Sequence, residues 1–166
     1  MTQRSFGARA VVRGVLIALM AATLVFIFSN SLKSPAQSSA DSSAVSGFLA
    51  TLFPPDTALG EFIKSNIRKI AHFLEYGLLG TEVAIYVCLY TKNKYKCAGC
   101  SVPLAVCIGF IDETLQYISN RGPAVSDIWV DVGGFAAFSL LTYGAVCAAY
   151  LLPKAVKKIH MEKNNG

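Results

Sequence analysis

Apolar residues fall in four long blocks separated by short polar segments: Val11 to Phe28, Ile70 to Tyr90, Val102 to Ile118 and Ile128 to Leu152. Each is close to the ~20 residues a helix needs to cross a hydrocarbon core of about 30 Å. The pattern predicts an all-α fold, a polytopic membrane helical bundle with four transmembrane helices at about 11–28, 70–90, 102–118 and 128–152. An N-terminal flank, 1–10, precedes this 11–152 domain and a basic tail, 153–166, follows it.

The first loop carries a different periodicity. Val45, Phe48, Leu49, Leu52 and Phe53 repeat at i, i+3, i+4, i+7 and i+8, the stripe of a short amphipathic helix, and Pro54-Pro55 ends it for want of an amide donor. A second stripe, Leu59, Phe62, Ile63, Ile67 and Ile70, starts after Asp56, an expected N-cap, and runs into the second span. These loop helices either pack on their own bundle or lie along the lipid surface.

Charge sets the expected orientation. Arg4, Arg9 and Arg13 flank the first span, Lys92, Lys94 and Lys96 fill the second loop, and Lys154, Lys157, Lys158 and Lys163 crowd the tail. The third loop has only Arg121, and Lys33, Lys64, Arg68 and Lys69 are spread over the much longer first loop. Under the positive-inside rule both termini and the second loop are cytoplasmic, in a multi-pass protein of the cell membrane. The net charge of +5 then reflects topology and anionic lipid, and no nucleic-acid partner is expected. With Ser38-Ser39-Ala40 downstream, the first block also resembles a secretory signal, but the polar stretch from Ser29 is long for one, so a retained anchor is expected.

Against this apolar background the ionisable residues stand out, because charge in or beside hydrocarbon is costly unless paired or wet. On the second span His72, Glu75, Tyr76, Leu79 and Glu82 share one helical face, with Arg68 and Lys69 at its outer end. Glu82, the deepest, has no neighbour in sequence to neutralise it, so it is paired across the bundle, protonated or wet. On the third span Asp112, Glu113 and Gln116 are spaced i, i+1 and i+4 and project toward overlapping space. Arg121-Gly122-Pro123 makes a turn, Ser126 or Asp127 is placed to cap the fourth span, and Asp131 lies one turn further in, above Gly133-Gly134. By the orientation argued above, the two stretches meet at one outward depth.

Arg68-Lys69-x-x-His72-Phe73-x-x-Tyr76-x-x-Leu79-Gly80, followed by Asp112-Glu113-x-x-Gln116, Arg121, Ser126-Asp127 and Gly134, resembles the VanZ-like family of small bacterial membrane proteins. Phe28-Ser29-Asn30-Ser31 resembles that family's Ser-rich segment, and the resemblance spans roughly residues 15 to 150. It implies membrane location and, through the family's namesake, an association with resistance to the glycopeptide teicoplanin. Asp131 stands where the resemblance implies an asparagine.

Three functions fit these residues. In the first, Arg68, Lys69, His72 and Arg121 hold an anionic lipid headgroup or lipid-linked envelope precursor, oriented by Glu75, Tyr76, Asp112, Glu113, Gln116, Asp127 and Asp131; an arginine's planar fork suits phosphate. In the second, His72, Asp112 or Glu113 is a general base in an enzyme acting on lipid, with Arg121 stabilising an oxyanion. A metal held by His72, Asp112, Glu113 and Asp131 is a minor form of that reading, since His-carboxylate sets are common in ordinary hydrogen-bond networks; no cofactor or metal is expected. In the third, the cluster is an interhelical latch. No nucleophile signature or glycine-rich phosphate loop is present, so the chain reads as a binding protein rather than an enzyme.

Cys97-x-x-Cys100 lacks a complete ligand set and faces the cytoplasm in this topology, so free thiols are expected. Cys107 and Cys147 read as small apolar packers within spans. Trp129 and Tyr117 fall where interfacial aromatics belong, and Phe135 to Phe138 read as helix-packing surface.

Overall fold

The chain folds into five helices in a computed structural model that describes the backbone of residues 3–164 and the side chains of 7–93 and 99–150. They are α1 (Gln3–Ser31), α2 (Pro35–Leu52), α3 (Ala58–Tyr90), α4 (Lys94–Ile118) and α5 (Val125–Asn164). Among the described residues, three stretches are long and apolar enough to cross a membrane: Gly7–Ser31, Ala58–Tyr90 and Val125–Tyr150. The expected third span lies on α4, where Asp112, Glu113 and Gln116 occupy the last two turns and shorten the apolar run.

Helix boundaries follow local chemistry. Ser34 caps α2 through a capping box with Gln37, and Pro35 at the first helical position suits a fixed φ where no amide donor is required. This start lies ten residues ahead of the apolar stripe that begins at Val45. Thr57, not Asp56, caps α3, its hydroxyl accepting from the Gly60 amide at 3.1 Å. The turn between α2 and α3 is so tight that a Cβ at Gly60 would lie 2.2 Å from the Pro54 carbonyl oxygen. α5 continues through Pro153 to Asn164, beyond the apolar stretch. The lysines at 94, 96, 154, 157, 158 and 163, with Arg4 and Cys97, lie outside the described side chains.

The four long helices alternate in direction. The N-terminal part of α1 meets the C-terminal part of α3, where Arg13 donates to the Tyr86 hydroxyl and Tyr90 donates to the Arg9 carbonyl, both at 3.0 Å. α3 and α5 run parallel and form the most extensive contact. Glycine makes that contact possible: a Cβ at Gly134 would lie 2.1 Å from the Phe73 carbonyl oxygen, and one at Gly80 2.3 Å from that of Phe135. Gly133 has no such neighbour, so of the expected glycine pair only Gly134 serves the approach. Phe73 and Phe138 meet edge-on beside the seam, with ring centroids 6.1 Å apart. The core comprises Ile27, Tyr76, Leu79, Ala105, Ile108, Val132 and Phe135.

Two surface features bear on the sequence expectations. No residue of α2 is buried, and its stripe faces outward, with Val45, Phe48 and Leu52 exposed while Ser42, Ser46 and Leu49 turn toward the bundle. Cys107 and Cys147 are exposed on the outside of the bundle rather than packed within it. Cys100, also exposed, is a free thiol. Tyr117 and Trp129 are both exposed near the ends of their helices, as interfacial aromatics would be.

Candidate functional site

The polar faces of α3, α4 and α5 converge at one end of the bundle with the last turn of α1. His72 on α3 lies between two aspartates, its Nδ1 3.5 Å from Asp112 Oδ2 on α4 and 3.4 Å from Asp131 Oδ1 on α5. Both aspartates are fully buried. Asp112 is well supplied: Ser31 donates to Oδ1 at 2.5 Å and Gln116 Nε2 to Oδ2 at 3.3 Å. Asp131 has no hydrogen-bond partner on either oxygen, and His72 Nδ1 has none. Such groups are expensive to bury unless something satisfies them.

Glu113 takes a role that no sequence spacing announced. Its Oε2 accepts the Ala124 amide at 2.8 Å, at the mouth of α5, while Oε1 accepts from Gln116 at 3.0 Å. A carboxylate from α4 thus holds the positive end of the α5 dipole. Ser126 does not cap the helix; it donates to Asp127 at 3.1 Å inside the first turn.

Arg121 is placed by the end of α4. Asn120 adopts φ 55°, the left-handed region that asparagine tolerates, and its amide donates to the Tyr117 carbonyl. The Arg121 amide donates to the Gln116 carbonyl at 2.9 Å, completing a Schellman-type close that turns the chain back over the site. The Arg121 side chain, largely buried, donates through Nη1 to the Asn30 carbonyl at 2.8 Å and leaves Nε without a partner. Burial, with the Arg68 guanidinium adding, lowers the Arg121 pKa from its ordinary value, while Asp112, Glu113 and Glu75 pull it back up.

The end of α1 links these groups. Asn30 Nδ2 donates to Glu75 Oε1 at 2.8 Å, and Ser119 donates to the Ser31 carbonyl at 2.8 Å. Asn30, Ser31 and Ser119 were not among the site residues expected from sequence; the only signal was the polar triplet that closes an otherwise apolar block. Deeper in, Thr23 on α1 donates to Glu82 Oε1 at 3.0 Å, so Glu82 is paired across the bundle.

Two clefts open onto the cluster. One of about 280 Å³ is lined by Asn30, Lys33, Arg68, His72, Glu75 and Arg121 among others, and a neighbour of about 270 Å³ shares Ser42, Arg68 and Arg121 with it. Lys69 and Asp127 do not line either; they border a separate narrow crevice with Arg68 and His72. Tyr76 is fully buried behind the cluster, its hydroxyl without a hydrogen-bond partner. Of the residues expected from sequence, His72, Glu75, Tyr76, Asp112, Glu113, Gln116, Arg121 and Asp131 thus gather around one centre, with Arg68 at its mouth and Lys69 and Asp127 to one side.

Neither a curated protein nor a solved structure matches the chain. The family model described as VanZ/LLP1 matches residues 15–148, which takes in every long helix and the whole polar cluster. The chain belongs to the VanZ/LLP1 family.

Proposed function

We propose that the protein binds the phosphate of an anionic lipid headgroup, or of a lipid-linked envelope precursor, between Arg121 and Arg68. The observation that carries this reading is the Arg121 side chain, turned into the bundle with Nε unpaired and a second guanidinium sharing its clefts. Two cations without an anion between them repel; a phosphate accepting from both relieves that repulsion and uses the planar fork of each. Lys33 lines the same cleft, although it also pairs with Asp41 at 2.7 Å.

In this reading α4 also crosses, which makes four crossings. Its 25 residues span about 37 Å at 1.5 Å per residue, and the alternating directions of α1, α3, α4 and α5 then put both termini on one side. The positive-inside rule makes that side cytoplasmic and the cluster outward-facing, within reach of outer-leaflet headgroups. Binding there would alter envelope properties, including susceptibility to teicoplanin-type glycopeptides.

The test is native mass spectrometry of gently extracted protein. Wild-type protein is expected to retain a phosphate-bearing lipid, Arg121→Ala to lose at least about tenfold of it, and Arg121→Lys to fall between, since a point charge replaces a fork. Equal retention by wild type and a folded Arg121→Ala variant would defeat the reading. The hydrogen bonds from Ser31, Gln116 and Ala124 to the buried carboxylates favour a second, structural role for Asp112 and Glu113 as a latch between helices.

A further inference from the structure

We infer that His72, Asp112 and Asp131 form a binding site for a divalent transition-metal ion, with zinc the best fit. Three helices each bring one ligand-bearing side chain, and the candidate atoms all lie within 4.8 Å of one another. The two distances from His72 Nδ1, 3.4 and 3.5 Å, match the edge of a coordination tetrahedron. An ion with bonds of about 2.0–2.1 Å to nitrogen and oxygen separates neighbouring ligands by roughly 3.3–3.4 Å.

The pattern of satisfied and unsatisfied atoms supports the same centre. Asp131 is fully buried and neither carboxylate oxygen makes a hydrogen bond, nor does the His72 nitrogen that faces it across 3.4 Å. An ordinary hydrogen-bond network does not leave its central atoms unused. Asp112, by contrast, is oriented from behind by Ser31 and Gln116, the arrangement that fixes a metal-ligating carboxylate. Charge points the same way. Arg121, buried at the same end of the bundle, donates to the Asn30 carbonyl and forms no ion pair with either aspartate, so two positive charges on an ion would balance Asp112 and Asp131 directly. His72 also lines the cleft, which gives an entry path and leaves room for water at a fourth position. The site does not depend on the headgroup reading, because Arg121 and Arg68 are not among its ligands.

The experiment uses the full chain in detergent, stripped with chelator, incubated with zinc chloride alone and desalted. Bound metal is measured by mass spectrometry, and the ligands by X-ray absorption at the zinc edge. About one zinc per chain, with a shell of nitrogen and oxygen only and a raised Tm, is expected. Asp131→Asn, close in shape, should weaken binding at least about tenfold, and Ser31→Ala by about 10–100-fold through loss of ligand orientation, while Thr114→Val, on the exposed side of α4, retains the ion. Absence of bound zinc in the wild type would overturn the site and leave a charged histidine between two carboxylates. A sulfur shell at about 2.3 Å would overturn it equally by assigning the ion to cysteines, and this readout holds even if a variant fails to fold.

Discussion

At the scale of single residues, some buried polar groups depend on a single hydrogen bond across the bundle. Thr23 donates to one oxygen of Glu82, and among the described residues the second oxygen has no hydrogen-bond partner. Membrane hydrogen bonds average about 0.6 kcal/mol, but leaving a buried carboxyl with none costs about 1–3 kcal/mol. Thr23→Val is therefore expected to lower the Tm in detergent by several degrees, while Thr114→Val, on the exposed side of α4, changes it little. Equal shifts would show that the pair contributes nothing. Asn120 offers a second test. With φ 55°, Asn120→Ala should cost about 1–2 kcal/mol, since an alanine Cβ meets the following carbonyl in the left-handed region, and Asn120→Gly should restore the stability in the same melting experiment. The grouping of His72, Glu75 and Tyr76 on one face, and of Asp112, Glu113 and Gln116 on another, was legible because helical spacing alone decides it. The partners Asn30, Ser31 and Ala124 were not, because each bond joins residues on different elements.

Helices meet here on terms set by the absence of side chains. The α3–α5 seam leaves no room at Gly80 and Gly134, where backbone carbonyls stand within 2.3 Å of any added Cβ. Gly134→Ala must push the helices apart, and overpacking of this kind costs about 1–3 kcal/mol. The same change at Gly133 or Gly144, which meet only distant neighbours or open space, should be tolerated. Thermal unfolding of the three variants side by side decides the point; comparable losses at all three positions would mean that helix propensity rather than packing governs. The sequence placed a glycine pair at this contact but could not say which member touched, since that depends on the rotation of α5 against α3. The start of α2 was readable in principle: Ser34-Pro35-Ala36-Gln37 spells a capping box with proline at the first helical position. Hydrophobic periodicity begins only at Val45 and so does not reveal it.

At the scale of the whole molecule, the arrangement of long helices carries a topological expectation. The proposed topology of four alternating crossings would put Cys100 and the start of α4 on the cytoplasmic side and α2 outside. A membrane-impermeant maleimide should label Ser43→Cys on intact cells, in a background where the native cysteines are replaced, and should reach Cys100 only after permeabilisation. Labelling of both sites on intact cells would rule that topology out. Three of the four expected spans correspond to helices apolar enough to cross a membrane, whereas the one expected at 102–118 does not stand out, because the polar last turns of α4 serve the cluster at the expense of hydropathy.

The hydrogen bonds made by the last turn of α1 reach 81 residues forward to Asp112, 88 to Ser119 and 91 to Arg121. A ribosome adding about 5–20 residues per second takes roughly 4 to 16 s to cover the shortest of these gaps. By the later part of that interval Asn30 and Ser31 have emerged from the ribosome, while their eventual partners have still not been translated. The polar tip of the first helix therefore waits without its partners, and the polar cluster closes only when the later segments are delivered.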